Sequence, residues 1–468
     1  MLKLNLNGSL GTKKIYVLDT NLFINQPDCF EKFEDNVVVV PFWVIDQLDS
    51  FKHETNGKGY NAREASRLLM AKFEGLDGAK MHDGVFLNGS GKIFIKYCDS
   101  DGAAKLNLKN EVDDKIILLA YKLKSANKAY KDRIIIVSDD TNVRLKSLAL
   151  GIDAQAFRKG QVEIEANDFL IKNANVSEAE LDGLKKTELK EQISEKLAKK
   201  LKPHSNQIFR LMNEEMDKEI FAIYRKNKTE NYVFLERNLD SAAKIVGFEL
   251  KNNEQKMAAF LLNDENIPVV TLFGKTGGGK NLLPAGYGLN ELKKEKKSRY
   301  QKIIVFRPTH TVDRKDHGAM PGGEKEKLSL WSSTGYDAFT KAAFLQLKDY
   351  QKTVNLVQSL ISDKKIIVST HSWVRGRTFD DALIIIDEPQ NMTLHEIKTL
   401  LTRIGVNSKM VLTGDTSQID ISYVNESSNA LSRVLHLFRG EDLFAYVRFV
   451  KSERSEEAEK IANIFENE

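Results

Sequence analysis

This chain has few cysteines, little net charge and no long apolar run, and each shortage excludes a class of protein. Two cysteines among 468 residues, Cys29 and Cys98, exclude a disulfide framework and a four-cysteine zinc site. No apolar stretch approaches the roughly 18 residues of a membrane span. The N-terminal residues, MLKLNLNGSLGTKK, lack the apolar core of a signal peptide. We therefore expect a cytoplasmic protein without a membrane partner.

The charges are numerous but balanced. The chain has 70 basic and 66 acidic residues, which leaves a net charge of only +4. Any nucleic-acid surface must therefore be a local patch rather than a general polycation. The apolar share of 41% and the charged share of 29% are ordinary for a globular protein. The length indicates two or three domains.

Short β-branched runs that alternate with helical patterns occupy both ends of the chain, and they predict an α/β fold with parallel sheets. The N-terminal runs are IYVLD (15–19), VVVVPFWVI (37–45), IFIKY (93–97) and IIIVSDD (134–140). The C-terminal runs are IPVVTLF (267–273), KIIVFRP (302–308), KKIIVST (364–370), ALIIIDE (382–388), SKMVLTG (408–414) and DLFAYVRFV (442–450).

The pattern breaks up between these two regions. A mixed-charge stretch within 175–203 predicts a solvated helix or a tether that ends near Pro203, and ENYVFLERN (230–238) predicts a strand. We therefore divide the chain into an α/β domain at 12–157, a small connecting module at 158–246 and a second α/β domain at 247–468.

The most informative segment follows the run IPVVTLF and precedes a predicted helix. Strand, glycine-rich turn and helix start are the context of a phosphate-binding loop, in which backbone N–H groups surround the phosphates of a nucleotide. Lys280 would reach the β- and γ-phosphates, and the last position would ligate Mg²⁺. The predicted nucleotide-binding residues of this loop are Gly274, Lys275, Thr276, Gly277, Gly278, Gly279, Lys280 and Asn281.

Acidic and amide side chains after two later strands support this interpretation. Asp387 and Glu388 end the run ALIIIDE, where the first acid would hold Mg²⁺ and the second would polarise the attacking water. Asp415 and Gln418 follow KMVLTG, and they either sense the γ-phosphate or form a surface turn. Upstream, Gln255 either pairs with the adenine edge or is a helix-capping residue.

Together these segments resemble the PhoH-family ATPases, which are RecA-like P-loop proteins related to superfamily 1 helicases. The resemblance implies hydrolysis of ATP with Mg²⁺, coupled to RNA, and a homo-oligomeric ring such as a hexamer. It implies that Arg454 stabilises transition-state charge. The segments that carry it are Gln255, GKTGGGK (274–280), KIIVFRP (302–308), MPGGEKEKLSLW (320–331), RGRTF (375–379), IIIDEPQNMTLHEIKTLLTR (384–403), VLTGDTSQID (411–420) and KSERS (451–455).

Further basic residues in this region have two interpretations each. Arg307, Arg375 and Arg377 are either contacts to phosphate or nucleic acid, or solvated and ion-paired side chains. The lysine-rich segment ELKKEKKSRYQK (291–302) either contacts RNA phosphates or is a solvated connection.

Two features of the phosphate loop depart from the usual pattern. Asn281 occupies a position that is usually Ser or Thr, and it offers an amide oxygen instead of a hydroxyl. Pro284, Gly286 and Gly288 fall in the helix that follows, where proline lacks a donor and glycine costs roughly 1 kcal/mol. We expect nucleotide binding to survive and turnover to be slower than with Ser or Thr.

The N-terminal domain has acids at the ends of its predicted strands and at a helix start. Asp19 ends the first run, Asp139 and Asp140 end IIIVSDD, and Asp113 and Asp114 begin a helical pattern. Because the carboxyl ends of parallel strands share one edge, these acids can converge and bind Mg²⁺ or Mn²⁺. Taken singly, each acid is also typical of a cap or turn.

LDTNLFI, VVVVPFWVIDQLD, DDKIILLA and IIIVSDDTNVRLKSLALGI resemble a PIN domain, the metal-dependent ribonuclease fold. The resemblance assigns metal binding to Asp19, Asp114 and Asp140. At Gln47 the family pattern has glutamate, with Asp46 one step earlier. We therefore expect a weakened nuclease.

Three functions follow from these motifs. The first is an ATP-dependent RNA helicase and ribonuclease, in which the C-terminal domain moves RNA and the N-terminal domain cuts it. The second is an RNA-binding protein switched by ATP, with both catalytic centres attenuated. The third, a small-molecule kinase, conflicts with the N-terminal half.

Overall fold

The structure is a computed structural model, and it divides into two compact units, Met1–Gln161 and Val162–Glu468. Within the described part of the chain, no helix combines the length and apolarity needed to cross a membrane. The described residues are 2, 4, 13–54, 57–77, 81, 83–87, 90–101, 103–109, 111–157, 169–185, 199–213, 215–226, 232–308, 324–369, 377–416, 418–419 and 429–453.

The first unit contains a six-stranded sheet in the order β3-β4-β2-β1-β5-β6, parallel except for the β3–β4 pair. Its strands are β1 Ile15–Leu18, β2 Val37–Pro41, β3 Val85–Phe86, β4 Lys92–Lys96, β5 Ile134–Val137 and β6 Asp153–Gln155. Its helices are α1 Thr20–Asn25, α2 Phe42–Phe51, α3 Gly57–Phe73, α4 Val112–Ala126 and α5 Thr141–Ala149. The predicted α/β class with a mainly parallel sheet is confirmed.

The run at 37–45 is shorter as a strand than the sequence predicts. Strand β2 ends at Pro41, and the remainder of the run is the first turn of α2. Val44 and Leu48 are the buried residues of α2, and their spacing of four is that of a helix face. An apolar run that continues through the start of a helix therefore looked like one strand.

The predicted connecting module has a sheet of its own, and it lies in the second unit. The sheet order is β10-β9-β8-β7, and the strand predicted within 230–238 is confirmed as β10. The Asn206 amide donates to the backbone carbonyls of Asp442 and Phe444, both at 2.8 Å. The module elements are β7 Lys172–Asn175, α6 Glu178–Lys185, β8 Ile208–Met212, β9 Glu219–Lys226 and β10 Tyr232–Arg237. Residues 186–198 of the predicted helix or tether lie outside the described residues.

The rest of the second unit is built on a fully parallel six-stranded sheet in the order β13-β12-β14-β15-β11-β16. The strands are β11 Val269–Gly274, β12 Lys302–Phe306, β13 Ile366–Ser369, β14 Ala382–Asp387, β15 Lys409–Gly414 and β16 Phe444–Phe449. The helices are α7 Ala242–Val246, α8 Asn253–Asn263, α9 Leu282–Leu292, α10 Glu324–Leu347, α11 Tyr350–Ser362, α12 Leu394–Leu401 and α13 Ala430–Phe438. All six predicted strands are present.

Both faces of this sheet are buried. In β14, Leu383 and Ile385 belong to one hydrophobic cluster, while Ile384 and Ile386 belong to another on the opposite face. A strand covered on both faces needs apolar residues at every position, which explains why ALIIID shows no alternation.

The helix after the phosphate loop tolerates the residues expected to weaken it. Helix α9 begins at Leu282, so Pro284 lies in the first turn, where backbone N–H groups have no partner within the helix. A Cβ on Gly286 would come within 2.4 Å of Phe248, and one on Gly288 within 2.6 Å of Ile303. The two glycines therefore allow close packing against Phe248 and Ile303, a role that the sequence pattern did not indicate.

Candidate nucleotide and metal sites

The phosphate loop is held against the end of β16. Gly274 ends β11 with φ +113°, and an added Cβ there would lie 2.3 Å from the Phe449 carbonyl oxygen. The next residue, Lys275, donates its backbone N–H to the same oxygen at 3.0 Å. Gly277 and Gly279 also have positive φ, of 91° and 96°. A side chain at position 274 would collide with Phe449, so glycine is required there. Glycine is also favoured at Gly274, Gly277 and Gly279 because each has a positive φ.

The side chains at the end of the loop reach acids on neighbouring strands. The Lys280 ammonium donates to the Gly274 carbonyl and lies 3.8 Å from an Asp415 carboxylate oxygen. The Asn281 amide nitrogen donates to Asp387 Oδ1 at 2.8 Å. The predicted loop residues and the predicted acids of β14 and β15 are therefore brought together.

Asp387 is the most enclosed of these acids, with 6% of its surface exposed. Oδ1 also accepts from the Thr413 hydroxyl at 3.2 Å, and Oδ2 lies 3.1 Å from Arg307 Nε. Burial raises the pKa of Asp387, while the Arg307 charge and the bonds from Asn281 and Thr413 oppose that rise. The contact with Arg307 could not be predicted from the sequence, because the two residues are 80 positions apart on adjacent strands.

Glu388, which the sequence predicted to polarise the attacking water, is partly buried beside Asp387. Its backbone is in the left-handed region, with φ 52°, and its carboxylate accepts from the Gln390 side chain. Burial and the neighbouring charge of Asp387 raise its pKa. A carboxylate with a raised pKa binds a proton more readily, as general-base catalysis requires.

Gln418 and Gln255 both contact the loop. Gln418 Nε2 donates to the Thr276 hydroxyl at 2.6 Å. Gln255 Nε2 donates to the Gly278 carbonyl at 2.9 Å, and Gln255 Oε1 accepts from the Lys251 backbone N–H at 2.9 Å. The structure thus places Gln255 as a support beneath the loop, with part of its amide capacity already used.

A cavity of about 550 Å³ opens beside this cluster. The loop, with Glu388 and Gln418, forms part of its wall. Another part is apolar and includes Phe248, Leu283 and Leu345. A phosphate loop next to an apolar wall suits a ligand with charged phosphates and a flat base, and the volume is typical of ligand sites.

Two of the predicted arginines cannot be placed. Arg454 and Arg375 lie outside the described residues. Arg377 is described, and its backbone carbonyl accepts a hydrogen bond from Arg403 at 3.3 Å. The roles of Arg375, Arg377 and Arg454 stay predictions. The residue before Arg454, Glu453, lines the cavity and donates its backbone N–H to the Gly277 carbonyl at 3.2 Å, a contact that no sequence pattern predicted.

In the first unit, Asp19 and Asp140 lie at the ends of two neighbouring strands, since β1 pairs with β5. Asp19, which is 2% exposed, accepts from the Ser138 hydroxyl at 2.6 Å. Asp140 caps α5 by accepting from the Asn142 backbone at 2.6 Å. Burial, together with the charges of Asp113 and Asp140, raises the pKa of Asp19 to about 6.

The adjacent acids of α4 have different surroundings. The Asp114 carboxylate is buried and accepts from Lys146 Nζ at 2.7 Å and from the Lys109 backbone at 2.6 Å. Burial, and then the charge of Asp140, raise the pKa of Asp113. The charge of Asp113 thus contributes to the raised pKa of Asp19, while Asp114 forms an ion pair with Lys146.

The remaining predicted positions surround this cluster. The Thr20 hydroxyl donates to the Gln47 side-chain oxygen, which brings Gln47 to the residue beside Asp19. Asp46 is exposed, as expected for the neighbour of an inward-facing residue. Asp139 accepts from Asn25 and from the Phe157 backbone, both at 3.2 Å.

The oxygen donors of both sites suit Mg²⁺ or Mn²⁺, because hard divalent cations prefer carboxylate and amide oxygens. In the described residues, however, no three acidic, histidine or cysteine side chains are close enough together to hold an ion as they stand. The charges of Asp113 and Asp140 contribute to the raised pKa of Asp19, so the three acids belong to one electrostatic cluster. At the nucleotide site the predicted metal-binding residues are Asp387 and Asn281, and the two side chains are in contact.

Comparison with known proteins agrees with this geometry. Residues 248–466 match the family model described as PhoH-like protein, and residues 16–158 match the PIN domain model. Protein PhoH2 of Bacillus subtilis (strain 168) is 34% identical over 461 residues, with 96% of this chain and 99% of that protein covered. Protein PhoH2 of Thermobispora bispora is 29% identical, with 94% of each covered.

Another relative matches less than half of this chain. Protein PhoH of Escherichia coli (strain K12) is 28% identical over 204 residues, which is 44% of this chain and 54% of that protein. The matches over nearly the full length and the two family models together identify the family of this chain. The chain belongs to the PhoH2 family, with an N-terminal PIN domain and a C-terminal PhoH domain of the P-loop type.

Proposed function

We propose that this chain is an ATP-dependent RNA helicase and ribonuclease. The observation that carries the proposal is the cavity beside the phosphate loop, where Lys280, Glu388 and an apolar wall surround about 550 Å³. The PIN and PhoH domains indicate an RNA-related nuclease and ATPase. A motor and a nuclease in one chain favour a division of labour, in which one domain moves RNA and the other cuts it.

At the nucleotide site, the loop N–H groups would bind the phosphates, and the Lys280 ammonium would exchange the Gly274 carbonyl for the β- and γ-phosphates. Mg²⁺, when bound at Asp387 and Asn281, would neutralise phosphate charge. Glu388 would accept the proton of the attacking water, and Gln418 and Asp415 would respond to loss of the γ-phosphate. Arg454 would supply charge across a subunit boundary in a ring.

At the PIN site, Asp19, Asp140 and an acid of α4 would hold Mg²⁺ or Mn²⁺, which activates water for phosphodiester hydrolysis. The contacts of Asp114 with Lys146 and Lys109 favour Asp113 for this role. Gln47 contacts Thr20, the neighbour of Asp19, and at the site it would contribute an oxygen without a charge.

A combined assay tests the proposal. Labelled single-stranded and partly duplex RNA would be incubated with the protein, with and without ATP and Mn²⁺. We expect Mn²⁺-dependent cleavage and ATP-dependent unwinding. RNA binding that changes with ATP, without either reaction, would instead support the second candidate, an ATP-switched RNA-binding protein. That candidate is favoured by two neutral side chains, Gln47 and Asn281, at positions where the resemblance expects a charge or a hydroxyl.

Asn281→Thr should raise the ATPase kcat. Threonine restores a hydroxyl that is shorter than the amide, so Mg²⁺ and Asp387 can approach each other. We expect an increase of about threefold to tenfold, equivalent to roughly 1 kcal/mol in the barrier. Steady-state ATP hydrolysis at saturating Mg²⁺ measures it, and an unchanged or lower kcat would show that the amide is not the limiting feature.

Gln47→Glu should strengthen metal binding at the PIN site. Glutamate has nearly the same shape, and it adds one negative charge beside Asp19. We expect Mn²⁺ affinity and Mn²⁺-dependent cleavage of single-stranded RNA to rise by about tenfold. Asp46→Asn, on the exposed neighbouring residue, is the control. If Gln47→Glu and wild type cleave alike, another feature limits the nuclease.

A further inference from the structure

Arg307 is paired with Asp387, the acid predicted to hold Mg²⁺. Its Nε lies 3.1 Å from Asp387 Oδ2, while Oδ1 accepts bonds from Asn281 and Thr413. Both carboxylate oxygens are therefore engaged by donors within the protein. A divalent cation that binds Oδ2 directly would share that oxygen with the Arg307 guanidinium.

The guanidinium is the donor that conflicts with a metal. A buried carboxylate without a nearby cation is costly, so Arg307 stabilises Asp387 while no other cation is present. A guanidinium and Mg²⁺ on the same carboxylate would repel each other at short range in a partly buried site, where screening by water is weak. Asn281 and Thr413 are neutral and have no such conflict with the ion.

The position of Arg307 allows the exchange. It directly follows β12, the strand that pairs with β14, and its backbone N–H donates to the Ser369 carbonyl at 3.4 Å. The backbone is thus fixed between two strands. The side chain is 26% exposed, which leaves room for the guanidinium to turn away from Asp387.

We propose that Arg307 is a positioning residue that holds Asp387 in the nucleotide-free protein and that Mg²⁺ arriving with ATP must displace its guanidinium. The inference rests on the proposed function, since it requires that the cavity bind ATP. It departs from the phosphate or nucleic-acid contact considered for Arg307 from the sequence. As a consequence, the Arg307 guanidinium competes with Mg²⁺ for the Asp387 carboxylate and weakens its affinity for the ion.

The test is a binding measurement that needs no turnover. Calorimetry with the β,γ-imido analogue of ATP would be run first without Mg²⁺, and Mg²⁺ would then be titrated into protein saturated with the analogue. Arg307→Gln keeps a hydrogen-bond donor but removes the charge. We expect its Mg²⁺ half-saturation concentration to fall by about tenfold, while its affinity for the analogue without Mg²⁺ stays at the wild-type value.

Two further variants make the result specific. Arg307→Lys keeps a cation in reach of Asp387, so we expect it to restore the Mg²⁺ dependence of the wild type. Arg210→Gln removes an arginine that pairs with Glu219 in the connecting sheet, and we expect no change in Mg²⁺ dependence.

The outcomes separate this inference from the proposed function. A half-saturation concentration for Arg307→Gln that is unchanged or higher would overturn the inference. So would a loss of analogue affinity without Mg²⁺, because it would mean that Arg307 binds phosphate directly. If the wild type does not bind the analogue at all, the proposed nucleotide site itself fails, and the inference falls with it.

Discussion

Replacing Lys280 with methionine should reduce ATP hydrolysis by about a hundredfold or more, because a cation aimed at the transferring phosphoryl group is removed. The ammonium is already directed at the phosphate site, since it donates to the Gly274 carbonyl and lies 3.8 Å from Asp415. Methionine keeps the length and the apolar stem of lysine, and it removes only the charge and the donors. The measurement is steady-state hydrolysis, accompanied by a thermal melt to show that the fold survives.

Lys341→Met is the matched control for this change. Lys341 lines the same cavity from helix α10, but it does not belong to the phosphate loop. We expect its hydrolysis rate to stay within about threefold of wild type, since a surface cation contributes little in water. Equal losses in the two variants would indicate a general electrostatic effect. Full activity of Lys280→Met would contradict the assignment of the cavity as an ATPase site.

The residues of the predicted nucleotide site lie close together in the structure, as local rules led us to expect. A glycine-rich turn between strand and helix has few conformations that keep its backbone N–H groups directed at one point, so the segment 274–281 could be identified by itself. Acids at the ends of parallel strands must meet at one edge, which brought Asp387 and Asp415 to the loop without knowledge of the strand order.

Features that depend on contacts between distant segments could not be predicted. Gly288 looked like a weak point of helix α9, yet its missing side chain leaves space for Ile303 on a strand that follows later in the chain. The Arg307–Asp387 pair also joins two segments that are distant in the sequence. The end of β2 at Pro41 was missed for another reason: apolar residues continue into α2, and a short run does not distinguish strand from helix.

The choice between Asp113 and Asp114 shows the limit most clearly. The two residues are adjacent in the first turn of α4, where successive side chains point about 100° apart around the axis. The resemblance selected Asp114. Its contacts with Lys146 and Lys109 describe an internal ion pair, whereas Asp113 shares its electrostatic environment with Asp19 and Asp140. The motif identifies the helix turn, and these contacts are the reason that we propose Asp113 in place of Asp114.

Asparagine substitutions at these acids should separate catalysis from stability. We expect Asp19→Asn and Asp113→Asn each to reduce Mn²⁺-dependent RNA cleavage by about a hundredfold or more, because each removes a metal-binding charge. ATP hydrolysis should be unaffected, since Asp387 and Lys280 lie in the other unit. Labelled single-stranded RNA measures cleavage, and the same preparation measures ATPase activity.

Asp114→Asn is the discriminating variant. It breaks the pair between a carboxylate that is 2% exposed and Lys146, which should cost about 1–3 kcal/mol and lower the Tm by a few degrees. Cleavage below the melting range should remain within about tenfold of wild type, because the metal-binding charges remain. A hundredfold loss of cleavage in Asp114→Asn, with Asp113→Asn fully active, would return the metal-binding role to Asp114. It would also mean that Lys146 must release that carboxylate before a metal can bind.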